Sequence, residues 1–172
     1  MSINDSIRWR VEQGMLYPLV PKAPGTAARR SMFLSEPLWK MLSATHEDPD
    51  LEDRLGYLQA DLEVFANGGS ISPKYLFLLS PLRDCVWEIR SVQHEPSIRV
   101  LGLFADKDVF IATGHALRED LGGWQSRQWR EVKRAARANW RSLLGTYEPM
   151  NSTKIDELVT GAINGKYFKG AG

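Results

Sequence analysis

The chain has a single cysteine, no excess of charge of one sign and no long apolar run. With only Cys85 among 172 residues, an internal disulfide framework is excluded. Twenty-two basic and 21 acidic side chains leave a net charge of +1, so any nucleic-acid binding must depend on local charge. No segment is apolar enough for a signal peptide or a membrane span, and we therefore expect a cytoplasmic protein without membrane association.

Motifs of several common catalytic classes are also missing. The chain has neither a glycine-rich loop followed by Lys-Ser/Thr nor a GxGxxG sequence after a strand, which argues against P-loop and dinucleotide-binding proteins. It has no nucleophile elbow, and its cysteine and histidines lack the spacing of a zinc site. His46, Glu47 and Asp48 stand at a helix start, where capping explains them better than metal binding. We expect neither a cofactor nor a metal.

The clearest pattern is a set of three β-rich segments between Asp84 and Arg118. They read DCVWEIR, IRVLGLF and VFIATGHALR, and two short polar turns separate them. Their β-branched and aromatic residues are typical of a half-buried sheet, so the pattern predicts an antiparallel meander. Cys85 lies within it and is interpreted as a small core residue.

Cationic residues cluster at the ends of these segments. Arg90 closes the first, Arg99 opens the second, and His115 and Arg118 follow the third. Guanidinium groups grip phosphate oxygens in a planar fork, and His115 or His94 has the right chemistry to transfer protons near neutral pH. The two arginines share a sheet face only if they pair directly, and the turn length leaves the register open.

Two long helices are predicted. The first begins at Asp48-Pro49-Asp50, presents leucines at helical spacing and ends at Asn67-Gly68-Gly69, as a core-packing helix does. The second runs from about Trp124 to Leu144, with an apolar stripe on one side. The arginines at positions 127, 130, 134, 137 and 141 fall on an arc roughly a third of a turn away from that stripe. Either they bind a polyanion, or acids elsewhere in the chain pair with them.

The remaining segments are shorter. Residues 1–30 contain an alternating run of Ile7, Trp9 and Val11 and then a flexible Pro/Gly/Ala connection. SMFL predicts a short strand followed by a helix from Glu36-Pro37, and residues 75–79 predict another strand. A last short helix starts near Asn151-Ser152.

The order of these segments resembles that of RelE/HigB-type toxins, including phage-derived members. The resemblance is most specific at WEIR (Trp87 to Arg90) and IRVLGLF (Ile98 to Phe104), and PKYLFLLSPLRD adds Lys74 in a basic position. It implies an α+β fold with a small twisted antiparallel sheet packed against helices, over residues 31–145. Residues 1–30 are then an N-terminal extension, and residues 146–172 form a C-terminal helix and tail.

The resemblance also implies metal-independent cleavage of mRNA, free or on the ribosome, and a cognate antitoxin, for which we suspect a helix-turn-helix protein. Arg90 and Arg99 would hold the phosphate, with His115 as acid/base and Arg118 as a second cation. The RNA backbone would contact the following side chains: Lys74, Arg127, Arg130, Arg134, Arg137 and Arg141.

Two other interpretations stay open. One is a non-catalytic binding protein of phage or mobile-element origin that keeps the toxin-like fold and uses the basic helix or its tryptophans against a partner. The other is a ParE-like inhibitor of gyrase. Six tryptophans are many for this length; exposed ones would mark an interface, and buried ones would belong to the core.

Overall fold

A six-stranded mixed sheet forms the centre of the protein in the computed structural model, which describes residues 1–22, 28–90 and 94–164. The strands are β1 (Leu16–Pro18), β2 (Ser31–Ser35), β3 (Leu76–Leu78), β4 (Trp87–Ile89), β5 (Ile98–Asp106) and β6 (Val109–Leu117). Their order across the sheet is β1-β2-β6-β5-β4-β3. The predicted meander is confirmed as β4-β5-β6.

The sequence predicted an antiparallel sheet, but the sheet is mixed. Strand β2 pairs in parallel with β6, whereas the other neighbours are antiparallel. Two helices and three strands separate β2 from β6 in the sequence, which provides the long connection that a parallel pair requires. The α+β class is confirmed, with a mixed sheet.

Helices cover both faces of the sheet. They are α1 (Ile3–Glu12), α2 (Glu36–Ser43), α3 (Pro49–Ala66), α4 (Arg127–Leu144) and α5 (Ile155–Leu158). Helices α2, α3 and α5 share one apolar core with the sheet, and we call that side the α3 face. Helices α1 and α4 share a second core with the opposite side, the α4 face. No helix in the described residues is long and apolar enough to cross a bilayer.

Helix α3 confirms its predicted start and end. The Asp48 carboxylate caps it by accepting the backbone N–H of Asp50 at 3.0 Å, and Asn67 ends it. Gly68 then adopts φ +85°, a conformation that glycine takes without strain. The predicted leucine side of the helix is buried against the sheet, as a core-packing helix requires.

Helix α4 begins three residues after its predicted start because Ser126 caps it. The Ser126 Oγ accepts the backbone N–H of Trp129 at 3.1 Å, which satisfies an otherwise unpaired donor. Ala136 lies against Gly114, where an added Cβ would meet the Ala136 Cβ at 3.3 Å. The small residues at this crossing bring the helix close to β6.

Both ends of the described chain join the same two cores. Ile7 in α1 and Leu16 in β1 are buried, so the segment assigned to an extension adds a helix and an edge strand to the α4 face. A capping box of Ser2 and Asp5 explains why the alternating N-terminal run is helical. Helix α5 begins at Ile155, later than its predicted start near Asn151-Ser152, and buries Ile155. Residues 23–27 of the predicted flexible connection, and residues 165–172 of the tail, lie outside the described residues.

Candidate nucleic-acid interface

Arg90 and Arg99 lie side by side on the α4 face. The ladder between β4 and β5 pairs Glu88 with Leu101 and Ile89 with Val100, so its continuation places Arg90 opposite Arg99. This is the register in which both guanidinium groups share a face.

A buried carboxylate lies between the two arginines. Glu88 is fully buried, and its Oε1 accepts from Arg99 Nη1 at 2.6 Å while its Oε2 lies 3.3 Å from Arg90 Nε. The Arg90 guanidinium also lies 4.0 Å from the centre of the Phe77 ring. The Arg90 and Arg99 side chains are only 18% and 11% exposed, so most of their surface is already committed to the protein.

The histidines lie on the other side of the sheet. His115 pairs with Val100, a residue of the α3-face core, and burial lowers the pKa of its imidazole. The His94 ring stacks on Tyr57 of α3 at 4.5 Å between centres. The expected grouping of His115 with Arg90 and Arg99 is therefore corrected: the sheet separates the imidazole from the two guanidinium groups.

The other predicted cations of this region lie at the same end of the sheet. Lys74 is exposed and directly precedes Tyr75, whose carbonyl accepts the backbone N–H of Arg90 at 2.8 Å. Arg118 follows β6 and donates from Nη1 to the carbonyl of Gly122 at 3.0 Å. Of the predicted cluster, Arg90 and Arg99 are joined through Glu88, whereas His115 lies on the opposite face and Arg118 binds the carbonyl of Gly122.

The arginines of α4 form a second, more exposed basic region. Two of the five have acidic partners: Arg127 contacts Glu131 at 2.8 Å, and Arg137 contacts Asp84 at 3.2 Å. The other three, at positions 130, 134 and 141, are exposed and make no ion pair within the part of the chain that the structure describes. The alternative that acids elsewhere neutralise the helix therefore holds for only two of its arginines.

A lysine adds to this region. Lys133 donates from Nζ to the carbonyl of Ser80 at 2.7 Å, and partial burial lowers the pKa of its ammonium group. We define the basic stripe as the row of cations along α4 that runs beside the turn before β4; three of them are exposed and two, Lys133 and Arg137, are partly buried. Its members are Arg130, Lys133, Arg134, Arg137 and Arg141.

The helix on the opposite side of the sheet is acidic. Helix α3 contains five acidic side chains and one basic side chain, whereas α4 contains six basic side chains and one acidic one. The basic member of α3, Arg54, is buried and bound by both carboxylate oxygens of Glu119 at 2.6 and 2.8 Å. The nearly neutral chain thus has strongly segregated charge.

The six tryptophans divide equally between core and surface. Trp87, Trp129 and Trp140 are buried, while Trp9, Trp39 and Trp124 are 45%, 36% and 40% exposed. Trp39 stacks on Tyr17 at 4.1 Å between ring centres. Trp124 stands just before α4, at the N-terminal end of the basic stripe, where an aromatic face is available to a stacking base.

The described residues contain no group of three or more histidine, cysteine or acidic side chains placed to hold a metal ion. Cys85 is buried as predicted, and burial raises the pKa of its thiol, with Asp84 adding to the effect. A thiol with a raised pKa is a poor nucleophile at neutral pH.

Sequence reasoning missed Glu88 and Lys133. Glu88 stands two residues before Arg90, and period-two alternation puts such a pair on one face of a strand. That spacing was the available signal for the buried carboxylate. Lys133 gives a weaker signal, because it stands at the margin of the helix side that carries the arginines of α4. Its contact with Ser80 is what places it in the stripe.

Comparison of the chain with protein-family models, curated proteins and solved structures gave no match. The resemblance to RelE/HigB-type toxins stays a prediction.

Proposed function

We propose that the protein binds a nucleic-acid strand through the basic stripe and does not act on it chemically. The observation that carries the proposal is the exposure of Arg130, Arg134 and Arg141 without acidic partners in the described residues. A row of like charges on one helix repels itself, and bound phosphates relieve that repulsion.

The geometry of the stripe suits a linear polyanion. Helix α4 has 18 residues and is therefore about 27 Å long. The spacing of four, three and four residues between Arg130, Arg134, Arg137 and Arg141 keeps their side chains on one side of the axis. Cations in a row contact successive phosphates and release the counterions bound to them, which favours binding at low salt.

The members of the basic stripe are arginines and one lysine, which are suited to holding phosphate groups and not to proton transfer near neutral pH. The α4 helix contains no histidine, and Glu131, its one acidic residue, is paired with Arg127. Exposed Trp124 beside the stripe favours a single strand, whose unpaired bases stack on aromatic rings, over a duplex.

A pair of charge-matched variants tests the proposal. Arg130→Ala/Arg134→Ala removes two cations from the stripe, and Lys22→Ala/Lys40→Ala removes two exposed cations next to the α3 face. Fluorescence anisotropy with labelled RNA, single-stranded DNA and duplex DNA measures affinity at several salt concentrations. We expect only the stripe variant to weaken binding and to reduce the log–log salt slope, by about 1 to 2. Equal effects of the two variants would reject the stripe as the binding surface.

A second candidate is the metal-independent mRNA cleavage that the RelE/HigB resemblance implies, with an antitoxin as partner. The shared face of Arg90 and Arg99 favours it, since two guanidinium groups side by side are suited to one phosphate. Because Glu88 occupies both groups, RNA must compete with a buried carboxylate.

Mapping of mRNA 5′ ends after induction in a bacterial host tests cleavage. Wild type is compared with Arg99→Ala and with Arg99→Lys, which keeps the charge, and circular dichroism verifies that each is folded. New ends seen with wild type and lost in folded Arg99→Ala would support the nuclease. Intact mRNA with wild type would reject it, and DNA breaks in the same cells would point to the ParE-like alternative.

A further inference from the structure

A cleft of about 360 Å³ opens at the C-terminal end of the basic stripe. Its walls come from the short 3-10 helical turn Leu82–Asp84, from β5, from the last turns of α4 and from the segment 145–151. The volume is at the lower end of the range of small-molecule sites and is sufficient for one nucleotide. The cleft lies at the end of the sheet where β4 begins, away from the Arg90–Arg99 end.

Three arginines line this cleft. Arg137 is engaged by Asp84 at 3.2 Å, whereas Arg83 and Arg141 make no ion pair among the described residues. Arg83 and Arg141 come from different elements and both border the same space. Two available guanidinium forks supply several N–H donors for one anionic group.

The remaining polar groups are of a different kind. Glu148 brings a second carboxylate to the wall, and Asn151 accepts the Cys85 S–H through its Oδ1 at 3.7 Å. The Trp140 indole N–H already donates to the carbonyl of Tyr147 at 3.0 Å, so this ring closes the cleft without offering a donor. The three arginines of the lining outnumber its two carboxylates, Asp84 and Glu148, and a carboxylate accepts a hydrogen bond from a hydroxyl group.

We propose that the cleft binds the terminal phosphate of an RNA strand whose backbone follows the basic stripe. This inference rests on the proposed function, because Arg137 and Arg141 belong to both surfaces. A phosphomonoester carries about −1.5 to −2 charges and three acceptor oxygens, against −1 for a phosphodiester, and so gains more from Arg83 and Arg141. Glu148 accepts a hydrogen bond from the 2′-hydroxyl of the terminal ribose, a contact that distinguishes RNA from DNA.

End-specific binding is tested with three RNAs of one sequence that carry a 5′-phosphate, a 3′-phosphate or no terminal phosphate. The quantity measured by anisotropy is the ratio of Kd without the phosphate to Kd with it. In wild type we expect a ratio of about ten or more for one of the two ends. A ratio of this size corresponds to the free energy of one additional hydrogen bond between charged groups. Arg83→Ala reduces that ratio to about one, and Arg83→Lys restores part of it.

The matched control is Arg134→Ala, which lies in the stripe but does not line the cleft. It weakens binding of all three RNAs alike and keeps the ratio. Adenosine monophosphate and inorganic phosphate serve as competitors. Displacement of the phosphorylated RNA, but not of the RNA without a terminal phosphate, supports a shared site.

Several outcomes would overturn the inference. A ratio of one for both ends in wild type, with RNA still bound, rejects the cleft while the proposed function stands. A ratio that survives Arg83→Ala places the phosphate elsewhere. Tight binding of adenosine monophosphate without any preference for phosphorylated RNA makes this a free-nucleotide site. Failure to bind any of the three RNAs rejects the proposed function and this inference together.

Discussion

At the residue scale, Glu88 determines what Arg90 and Arg99 are able to do. A carboxylate with no exposed surface is stable only when its charge is compensated, and the two guanidinium groups compensate it. The same contacts hold the arginines against the sheet. The resulting cluster has one surplus positive charge. Its primary role is to stabilise the buried part of the sheet.

Replacement of this carboxylate is therefore costly. We expect Glu88→Gln to lower the free energy of unfolding by about 3 to 5 kcal/mol, because it leaves two buried cations without a counter-charge. Urea denaturation followed by fluorescence measures the change. Glu36→Gln, which removes an exposed pair with Lys40, is the control and should cost less than about 1 kcal/mol. Similar small losses in both variants would mean that Glu88 is not required for stability.

His115 gives a pH dependence with a definite sign. Burial holds the pKa of folded His115 below its ordinary value of 6.5, so the unfolded chain takes up this proton at a higher pH than the folded protein. The stabilising effect is complete above pH 6.5 and is lost as the pH falls below it toward the lower folded pKa. We expect His115→Gln to lose less stability than wild type between pH 7.5 and pH 5.5. Urea midpoints at the two pH values test this, and an equal change of stability with pH in both proteins would show that folding does not shift the pKa of His115.

At the element scale, the helices and the meander were predictable because their signals are local. Caps, proline at the helix start and apolar periodicity specify α3, and the same kinds of signal specify α4 within three residues. The side of the sheet reached by His115 was not predictable in this way. Regular alternation along β6 would put His115 on the side of Ile111, which is also the side of Arg99.

A β-bulge reverses that alternation. Leu101 pairs with Gly114 and Gly102 with Ala112, so Thr113 is an extra residue in β6. An added Cβ at position 102 would stand 2.2 Å from the carbonyl oxygen of Ile111, a contact that only glycine avoids. The two glycines were visible in the sequence as a possible bulge signal, but only the pairing shows which residue is extra.

The cap of α4 offers a local test of the helix that carries the basic stripe. We expect Ser126→Ala to destabilise the protein by about 1 kcal/mol, because the Trp129 N–H loses its acceptor. Ser142→Ala, an exposed substitution inside the same helix, should be neutral or slightly stabilising since alanine has the higher helix propensity. Thermal unfolding of both variants provides the comparison. Equal melting temperatures would show that α4 does not depend on this cap.

At the scale of the whole molecule, two features depend on contacts between distant segments, and sequence patterns did not predict them. One is the parallel return of β2 beside β6, which makes the sheet mixed. The other is the separation of charge, with acidic α3 and basic α4 on opposite faces. Balanced composition left open whether acids elsewhere cover the arginines of α4, and the sheet keeps the acidic helix and the basic helix apart. An almost neutral chain thereby presents one strongly basic surface.

The central claim is that this surface binds a nucleic-acid backbone, and the salt dependence of RNA affinity tests it most directly. The wild-type protein is titrated into labelled single-stranded RNA at a series of salt concentrations, and log Kd is plotted against log salt. With at least three unpaired arginines contacting phosphates, affinity should fall linearly with a slope magnitude of about 2 or more. Absence of binding at low salt, or binding that salt does not weaken, would contradict the account.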